Sequence, residues 1–173
     1  MDIDLATKFA AIAQAAVNQM DRRTADLLKM DGQAAAALIV IGSNPGQPIE
    51  RLRQALEMSH SGCVRLVERL MLAGYAERHV GRNKREAAIH LTSVGEQMRS
   101  DLLAARREGA WAVFSNLDNA ERNVVRVHLA RMLDRMAPDG NGVEGVCRLC
   151  EVAVCKDCPA HKPGQTEWRH CPI

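Results

Sequence analysis

The stretch "SHSGCVRLVERLMLAGYAERHVGRNKREAAIHLTSVG", residues 59–95, changes its hydrophobic period halfway along. From Val64 to Met71, apolar residues recur at three- and four-residue spacing, which is typical of one face of a helix. Ser59 stands before this run and can cap the helix, because its hydroxyl can accept a hydrogen bond from an early backbone N–H. Gly74 follows the run, where a glycine suits the end of a helix. The first half of the stretch therefore predicts one capped amphipathic helix.

A second short helix is predicted immediately upstream. The residues "SNPGQP" break the chain, and Pro48 is well placed in the first turn of a helix that starts "IERLRQAL". Two short helices joined by a tight turn form a helix-turn-helix, whose second helix enters the major groove of DNA with its N-terminal half leading. Small and hydrogen-bonding residues occupy that half here, and Arg65 can make a bidentate contact to guanine. The residues predicted to contact DNA from this helix are Ser59, His60, Ser61, Arg65 and Arg69.

The second half of the stretch alternates apolar and polar residues. "YAERHVG" and "EAAIHL" have the period of strands, and "RNKR" lies between them, so the pattern predicts a hairpin with a basic tip. Arg82, Lys84 and Arg85 at this tip are expected to reach phosphates or the minor groove beside the helix. Residues 59–92 contain six Lys or Arg and three acids, whereas the whole chain has a net charge of only +2. A solvated helix face would show a similar local excess, so the position of these residues carries more weight than their charge.

The remaining residues before the tail have helical patterns. Ala-rich residues 5–30 predict a long helix, and residues 34–41 predict a short buried one. Thr92 is expected to start a long helix that runs to about Leu117. The residues "DNAE", 118–121, resemble a capping box at the start of a last helix. The predicted fold class is therefore mainly α with a small β-hairpin wing.

Residues 54–98, "QALEMSHSGCVRLVERLMLAGYAERHVGRNKREAAIHLTSVGEQM", resemble the winged helix of the MarR family of bacterial transcription regulators. This resemblance implies an obligate homodimer that binds a pseudo-palindromic operator in double-stranded DNA. Arg65 falls where the family reads bases and Arg85 falls on its wing arginine, but Asn83 and Lys84 replace the acidic residue that is usual in the wing. The implied parts are an N-terminal dimerisation helix (1–33), a winged helix-turn-helix (34–92) and C-terminal dimerisation helices (93–137). The resemblance does not extend to the remaining residues, 138–173, which are predicted to form a cysteine-rich metal-binding tail.

The tail contains five of the six cysteines, at the spacing C-x2-C-x4-C-x2-C-x12-C. In a reducing compartment, clustered thiols more often bind metal than form structural disulfides. The predicted metal ligands are Cys147, Cys150, Cys155, Cys158 and Cys171, with His161 and His170 as alternative ligands.

Zinc and an iron–sulfur cluster both remain open as the bound group. Four thiolates could hold one zinc ion, but four residues between the two C-x2-C pairs leave the chain little room to reverse. Cys150, Cys155 and Cys158 reproduce the C-x4-C-x2-C spacing of plant-type clusters, with Cys171 as a distant fourth ligand. This spacing slightly favours iron–sulfur. Bare redox thiols are the third alternative, although no strand–helix–strand unit precedes the C-x2-C pairs as it does in thiol oxidoreductases.

Outside the tail, Cys63, His79 and His90 are also candidates for a functional role. Cys63 on the predicted recognition helix is expected to be a packing residue rather than a redox switch, because reactive cysteines need an exposed electropositive setting. His79 and His90 lie on opposite wing strands and are expected to hydrogen-bond across the hairpin. The sequence contains no nucleophile elbow, phosphate loop or H-E-x-x-H motif, so an enzyme is not predicted.

Polar residues interrupt the apolar run in the first twenty residues, unlike in a signal peptide or a membrane span, so a cytoplasmic location is expected.

The hypothesis for function is a homodimeric DNA-binding regulator, more a repressor than an activator, whose tail senses redox state or metal. The tail would act by changing the distance between the two recognition helices of the dimer. Alternatives are a purely structural zinc clasp with a small aromatic effector, a winged helix that binds protein, and a thiol redox protein.

Overall fold

The computed structural model describes residues 1–80, 87–136 and 149. Within these ranges the chain forms helices and a small antiparallel sheet, so the predicted fold class, mainly α with a β-hairpin wing, is confirmed. No helix among these residues is both long and apolar enough to cross a membrane. The helices are α1 (Ile3–Leu27), α2 (Gly32–Ser43), α3 (Ile49–Ala55), α4 (His60–Leu72), α5 (Ser93–Trp111) and α6 (Asn119–Met136), and the strands are β1 (Gln47–Pro48), β2 (Ala76–Val80) and β3 (Ala87–Leu91).

The helix α2 lies at the centre of the hydrophobic core. Its residues from Ala34 to Ile41 are almost all buried, as expected of a helix that is apolar on every side. Fully burying one large aliphatic side chain contributes about 1.5–3 kcal/mol, so this core holds α3 and α4 firmly in place. The fully buried side chains contributed by the elements around α2 include Leu52 from α3, Leu70 from α4, Ile89 from β3 and Leu102 from α5.

The strand β1 was not predicted from the sequence. Gly46 has a φ of +82°, a conformation that favours glycine, and its N–H donates to the carbonyl of Ile89 at 2.9 Å. Gln47 then pairs with Ile89 and Pro48 pairs with Ala88, which gives a three-stranded sheet in the order β1-β3-β2. Pro48 is the extended N-cap residue of α3 and not part of its first turn, so that prediction was wrong by one position. A two-residue edge strand has no periodic pattern by which it could be recognised.

The predicted hairpin is confirmed, and Thr92 joins it to α5. β2 and β3 pair antiparallel from Ala76 opposite Leu91 to Val80 opposite Ala87. Thr92 caps α5 as predicted, because its hydroxyl accepts from the N–H of Gly95 at 3.0 Å.

Two further hydrogen bonds complete this junction. The hydroxyl of Thr92 donates to the carbonyl of Gly74 at 2.6 Å, and its N–H donates to the carbonyl of Tyr75 at 3.0 Å. Gly74 ends α4 with a φ of +78°, as its position in the sequence predicted. The end of α4, the start of the wing and the start of α5 are therefore tied to one another.

The helix α5 ends at Trp111, earlier than the predicted end near Leu117. A 3-10 turn follows, and the Arg122 side chain stabilises this corner by donating to the carbonyls of Phe114 at 3.3 Å and Ser115 at 3.2 Å. The same guanidinium lies 5.0 Å from the centre of the Trp111 ring. Arg122 comes from α6, so the corner depends on a contact that local sequence patterns do not reveal.

The helix α6 begins with the predicted capping box. Asp118 and Glu121 each accept from the other's backbone N–H at 2.8 Å. None of the residues of α6 is buried, and α1 buries only Thr24. These two helices therefore leave most of their surface open within a single chain.

Candidate nucleic-acid interface

The N-terminus of α4 is capped as the sequence predicted. The hydroxyl of Ser59 accepts from the N–H of Gly62 at 3.2 Å, and Ser59 itself is extended, with φ −67° and ψ 152°. A Cβ on Gly62 would come within 3.0 Å of this hydroxyl, so the glycine fits the tight first turn. The remaining free N–H groups and the positive end of the helix dipole favour an anion such as a phosphate at this end.

The side chains of α4 separate into a buried face and an exposed face. Cys63, Leu66, Val67 and Leu70 are buried in the core. The opposite face is exposed and carries all the residues that were predicted to contact bases, together with a leucine that is 92% exposed. These exposed residues are Ser59, His60, Ser61, Arg65, Glu68, Arg69 and Leu72.

Arg65 stands on the exposed face, in the second turn of α4. Among the residues that the structure describes, it forms no ion pair with a carboxylate, in contrast to Arg69 on the same helix. An arginine that no internal carboxylate already holds can direct its donors at an external acceptor. The base contact predicted for Arg65 stays a prediction, but its position is suited to that role.

Arg69 has a partner within the chain. Its guanidinium donates to the Asp31 carboxylate at 2.7 Å, and both side chains are about half exposed. Asp31 also caps α2 by accepting from the N–H of Ala34 at 3.0 Å. The hydrogen bond from Arg69 lowers the pKa of Asp31, so the carboxylate stays charged. This pair links α4 to the segment after α1, and DNA contact by Arg69 remains a prediction.

The turn between α3 and α4 is held by an arginine whose role was not predicted from the sequence. Arg53 donates through Nε and Nη2 to the carboxylate of Glu50 at 2.7–3.0 Å, and through Nη1 to the carbonyl of Met58 at 3.2 Å. Glu57 in this turn has a φ of +53°, which is uncommon for a residue with a side chain. The bonds from Arg53 therefore support a turn with unfavourable backbone geometry.

Glu50 also connects this turn to the first residue of α4, His60. Its carboxylate lies 3.7 Å from Nδ1 of His60, and hydrogen bonds from Arg53 lower the pKa of the carboxyl. The spacing of Glu50 and Arg53, three residues apart on one helix, is the signal by which the pair could have been found.

The described part of the wing exposes polar and basic side chains. The residues of β2 from Glu77 to Val80 are exposed, whereas Ala88 and Ile89 of β3 are buried. The predicted tip residues Arg82, Lys84 and Arg85 lie outside the described residues.

The two wing histidines do not form the predicted hydrogen bond with each other. The Nε2 atom of His79 lies 2.8 Å from the Glu77 carboxylate on its own strand. The rings of His79 and His90 meet edge to face with centres 4.8 Å apart. The histidines therefore contact each other through their rings.

Cys63 is a packing residue, as predicted. It is fully buried, its Sγ lies 3.8 Å from the carbonyl of Ile49, and burial raises the pKa of its thiol. A thiol without a low pKa or access to solvent is poorly suited to a redox switch.

Cys147, Cys150, Cys155, Cys158 and Cys171, and the alternative ligands His161 and His170, all lie outside the described residues. Within residues 1–80, 87–136 and 149, no group of three His, Cys, Asp or Glu side chains could hold a metal ion.

Comparison with solved structures identifies the fold. The chain is similar to the multiple antibiotic-resistance repressor MarR from Listeria monocytogenes, with 21% identity over 79% of this chain and 94% of that one, at a TM-score of 0.62. A cysteine-to-serine mutant of MarR from E. coli is 18% identical over 77% of this chain and 98% of that one, at a TM-score of 0.66. A MarR family regulator from Rhodococcus is 16% identical over 75% and 91%, at a TM-score of 0.57.

Sequence identities this low establish a common fold, but they do not establish a common function. No protein-family model and no curated protein sequence matches the chain. The chain therefore has the winged-helix fold seen in MarR regulators, and its function has to be argued from its own residues.

Proposed function

We propose that the protein is a homodimeric DNA-binding transcription regulator that acts as a repressor. The observation that carries this proposal is the capped, exposed N-terminus of α4, which presents Ser59, His60, Ser61 and Arg65 together on a rigid core. Arg65 reads a guanine in the major groove, and the polar residues near the cap contact neighbouring bases or phosphates. The basic residues of the wing tip add backbone contacts. The MarR fold supports this proposal by analogy.

Selection of bound sequences from random double-stranded DNA tests this function. A dimer of winged helices is expected to enrich a pseudo-palindrome whose half-sites are about 10 base pairs apart, centre to centre. Binding should weaken steeply as the salt concentration rises, because lysines and arginines displace counterions from phosphates. A protein that enriches no sequence and binds DNA without regard to its sequence would not be a site-specific regulator.

The exposed surfaces of α1 and α6 support the homodimer. Phe9 and Ile12 on α1 are 53% and 52% exposed, and Val124 and Met132 on α6 are 58% and 46% exposed. Large apolar side chains at helical spacing on two helices of one protein are typical of a surface that another subunit covers. A second copy of the chain would bury both helices against their symmetry mates.

We expect Ile12→Glu to dissociate the dimer. A carboxylate at this position would be buried without a partner in the interface, which costs several kcal/mol per site. The mass in solution, measured by light scattering during gel filtration, should fall by about half.

Gln14→Glu is the matched control for this substitution. It introduces the same charge two residues along α1, about 200° around the helix, where Gln14 donates to Asn18 at 2.9 Å. We expect Gln14→Glu to remain dimeric. If both variants kept the mass of the unsubstituted protein, this face of α1 would not form the interface.

We also propose that the tail cysteines bind an iron–sulfur cluster or zinc, and that the bound group makes the regulator responsive to redox state or metal. The spacing of the thiols supports this, with iron–sulfur slightly favoured. The burial of Cys63 leaves the tail as the source of reactive thiols in this sequence.

We expect protein purified without oxygen to carry metal in the tail. A brown protein with visible absorption and stoichiometric iron and sulfide indicates a cluster, and a colourless protein with one zinc per chain indicates a zinc site. Replacing Cys155 and Cys158 by serine should abolish either signal, whereas Cys63→Ser should retain it. Protein without iron or zinc would remove the metal from the proposal and leave the DNA-binding function standing.

One observation bears on the alternative of a small aromatic effector. A cleft of about 380 Å³ lies between α1 and α5. Its lining includes Asp26, Asp101 and Glu108, and Arg23 pairs with Glu108 at 3.0 Å. A cleft with several carboxylates suits a polar or cationic molecule better than an aromatic one, so the aromatic effector is the weaker alternative.

A further inference from the structure

The ion pair between Asp31 and Arg69 joins the residue that precedes α2 to the exposed face of α4. Nη1 of Arg69 donates to the Asp31 carboxylate at 2.7 Å, and about half of each side chain is exposed to solvent. Arg69 follows Arg65 by four residues, so the two arginines are neighbours on one face of the helix. Among the residues that the structure describes, Arg65 has no such carboxylate. The two cations of this face therefore differ in what already binds them.

Asp31 is the fixed member of the pair. Leu28, three residues before it, is 2% exposed, and Ala34, three residues after it, is fully buried in the core. The Asp31 carboxylate also accepts from the N–H of Ala34 at 3.0 Å and caps α2, where the positive end of the helix dipole favours its charge. Arg69 reaches the pair through a long side chain with several rotatable bonds. A change of partner would therefore be made by Arg69, while Asp31 stays in place.

We infer that Asp31 competes with the phosphates of DNA for Arg69, and that it thereby limits the part of the DNA affinity that does not depend on sequence. The inference rests on the proposed DNA-binding function. It assigns a role in DNA binding to a carboxylate that DNA itself repels, because Arg69 reaches a phosphate only by giving up its bond to Asp31.

The position of Arg69 along α4 makes a phosphate its expected acceptor on DNA. The N-terminal residues of a recognition helix are the ones that meet the base edges. Arg69 lies one turn, about 6 Å along the axis, further from that end than Arg65. A cation beyond the base-reading turn approaches the backbone that borders the groove, and most protein–DNA hydrogen bonds go to phosphate and sugar.

The exchange of Arg69 between the two acceptors is close to balanced. A half-exposed ion pair is weak because water screens it, so Asp31 cannot withhold Arg69 from DNA completely. A phosphate contact gains free energy from the release of counterions, and this gain falls as salt rises. Asp31 therefore weakens the contact without abolishing it. A lower sequence-independent affinity leaves more protein free to find its operator among the many other sites of a genome.

The test is a double-mutant cycle on a duplex of random sequence, with Asp31→Asn, Arg69→Ala and the two combined. Asparagine keeps an oxygen that can cap α2, but it removes the charge that holds Arg69. We expect Asp31→Asn to tighten binding by roughly 2- to 30-fold, as for an exposed ion pair lost in each of two subunits. In the Arg69→Ala background the same substitution should change the affinity by less than about 2-fold, because it then removes only a screened charge.

The dependence of binding on salt is the second readout. Asp31→Asn should make the slope of the logarithm of the binding constant against the logarithm of salt concentration more negative by about 1 to 2, since each phosphate neutralised contributes about 0.9. Loss of a merely structural ion pair would not change this slope.

Two outcomes would overturn the inference. One is an effect of Asp31→Asn that has the same size with and without Arg69, and the other is an unchanged salt slope. Both are measured on random DNA. A protein that selects no operator would therefore lose its proposed function as a regulator, while the cycle would still decide whether Asp31 competes for Arg69. Absence of binding to any duplex by all four proteins would end both proposals.

Discussion

Arg65→Ala is expected to remove most of the affinity of the protein for its selected operator while leaving its fold intact. Arg65 stands on the exposed face of α4, and among the described residues it forms no ion pair that its removal would break. Truncation should therefore change the free energy of unfolding by less than about 0.5 kcal/mol.

The loss of affinity follows from the geometry of a bidentate contact. One arginine–guanine pair contributes about 1–3 kcal/mol of discrimination, and a dimer would carry two such pairs. The expected loss is roughly 2 kcal/mol or more, which corresponds to about 30-fold or more in the dissociation constant. Fluorescence anisotropy with a labelled operator at fixed salt concentration measures this directly.

Arg69→Ala is the control on the same helix. Its guanidinium is held by Asp31 at 2.7 Å, so we expect a smaller loss of affinity that is the same for operator and random DNA.

A second comparison uses operators in which the contacted guanine is replaced. The unsubstituted protein should bind these altered operators poorly. Arg65→Ala should bind them as well as it binds the original operator. If Arg65→Ala discriminated between the two DNAs as well as the unsubstituted protein does, another residue would read that base.

The features that were predicted correctly from the sequence are those set by a few neighbouring residues. Ser59 caps α4, Thr92 caps α5, and Asp118 with Glu121 forms a capping box, each through hydrogen bonds that span three residues. The exposed face of α4 follows likewise from helical spacing. Local patterns were therefore sufficient to place α4 and the face that it exposes.

The features that were missed depend on contacts between distant parts of the chain. Asp31 and Arg69 are 38 residues apart in sequence, and nothing in the pattern around Arg69 indicates that a carboxylate will reach it. The strand β1 exists only because β3, forty residues later, offers it a partner. The corner after Trp111 likewise depends on an arginine from the next helix.

The second large effect is expected from Gly95→Ala at the junction of the wing and α5. A Cβ on Gly95 would collide with the carbonyl oxygen of Tyr75 and would lie 3.2 Å from the side chain of Leu91. The atom in the way belongs to the backbone, and it accepts the N–H of Thr92 at 3.0 Å, so it cannot move without breaking that bond. Overpacking of this kind costs about 1–3 kcal/mol, and the lost hydrogen bond adds about 1 kcal/mol.

The free energy of unfolding should therefore fall by about 2–4 kcal/mol, as measured by urea denaturation followed by circular dichroism at one protein concentration. Gly32→Ala is the matched control, because Gly32 also lies in the first turn of a helix and has no atom within 4 Å of the added Cβ. Removing this glycine should stabilise the protein by about 0.4–1 kcal/mol, since alanine restricts the unfolded chain. The two substitutions are chemically identical and are predicted to have opposite signs. If Gly95→Ala also stabilised the protein, Gly95 could not lie as close to the carbonyl of Tyr75 as the structure places it. The position of the wing relative to α4 would then have to be different.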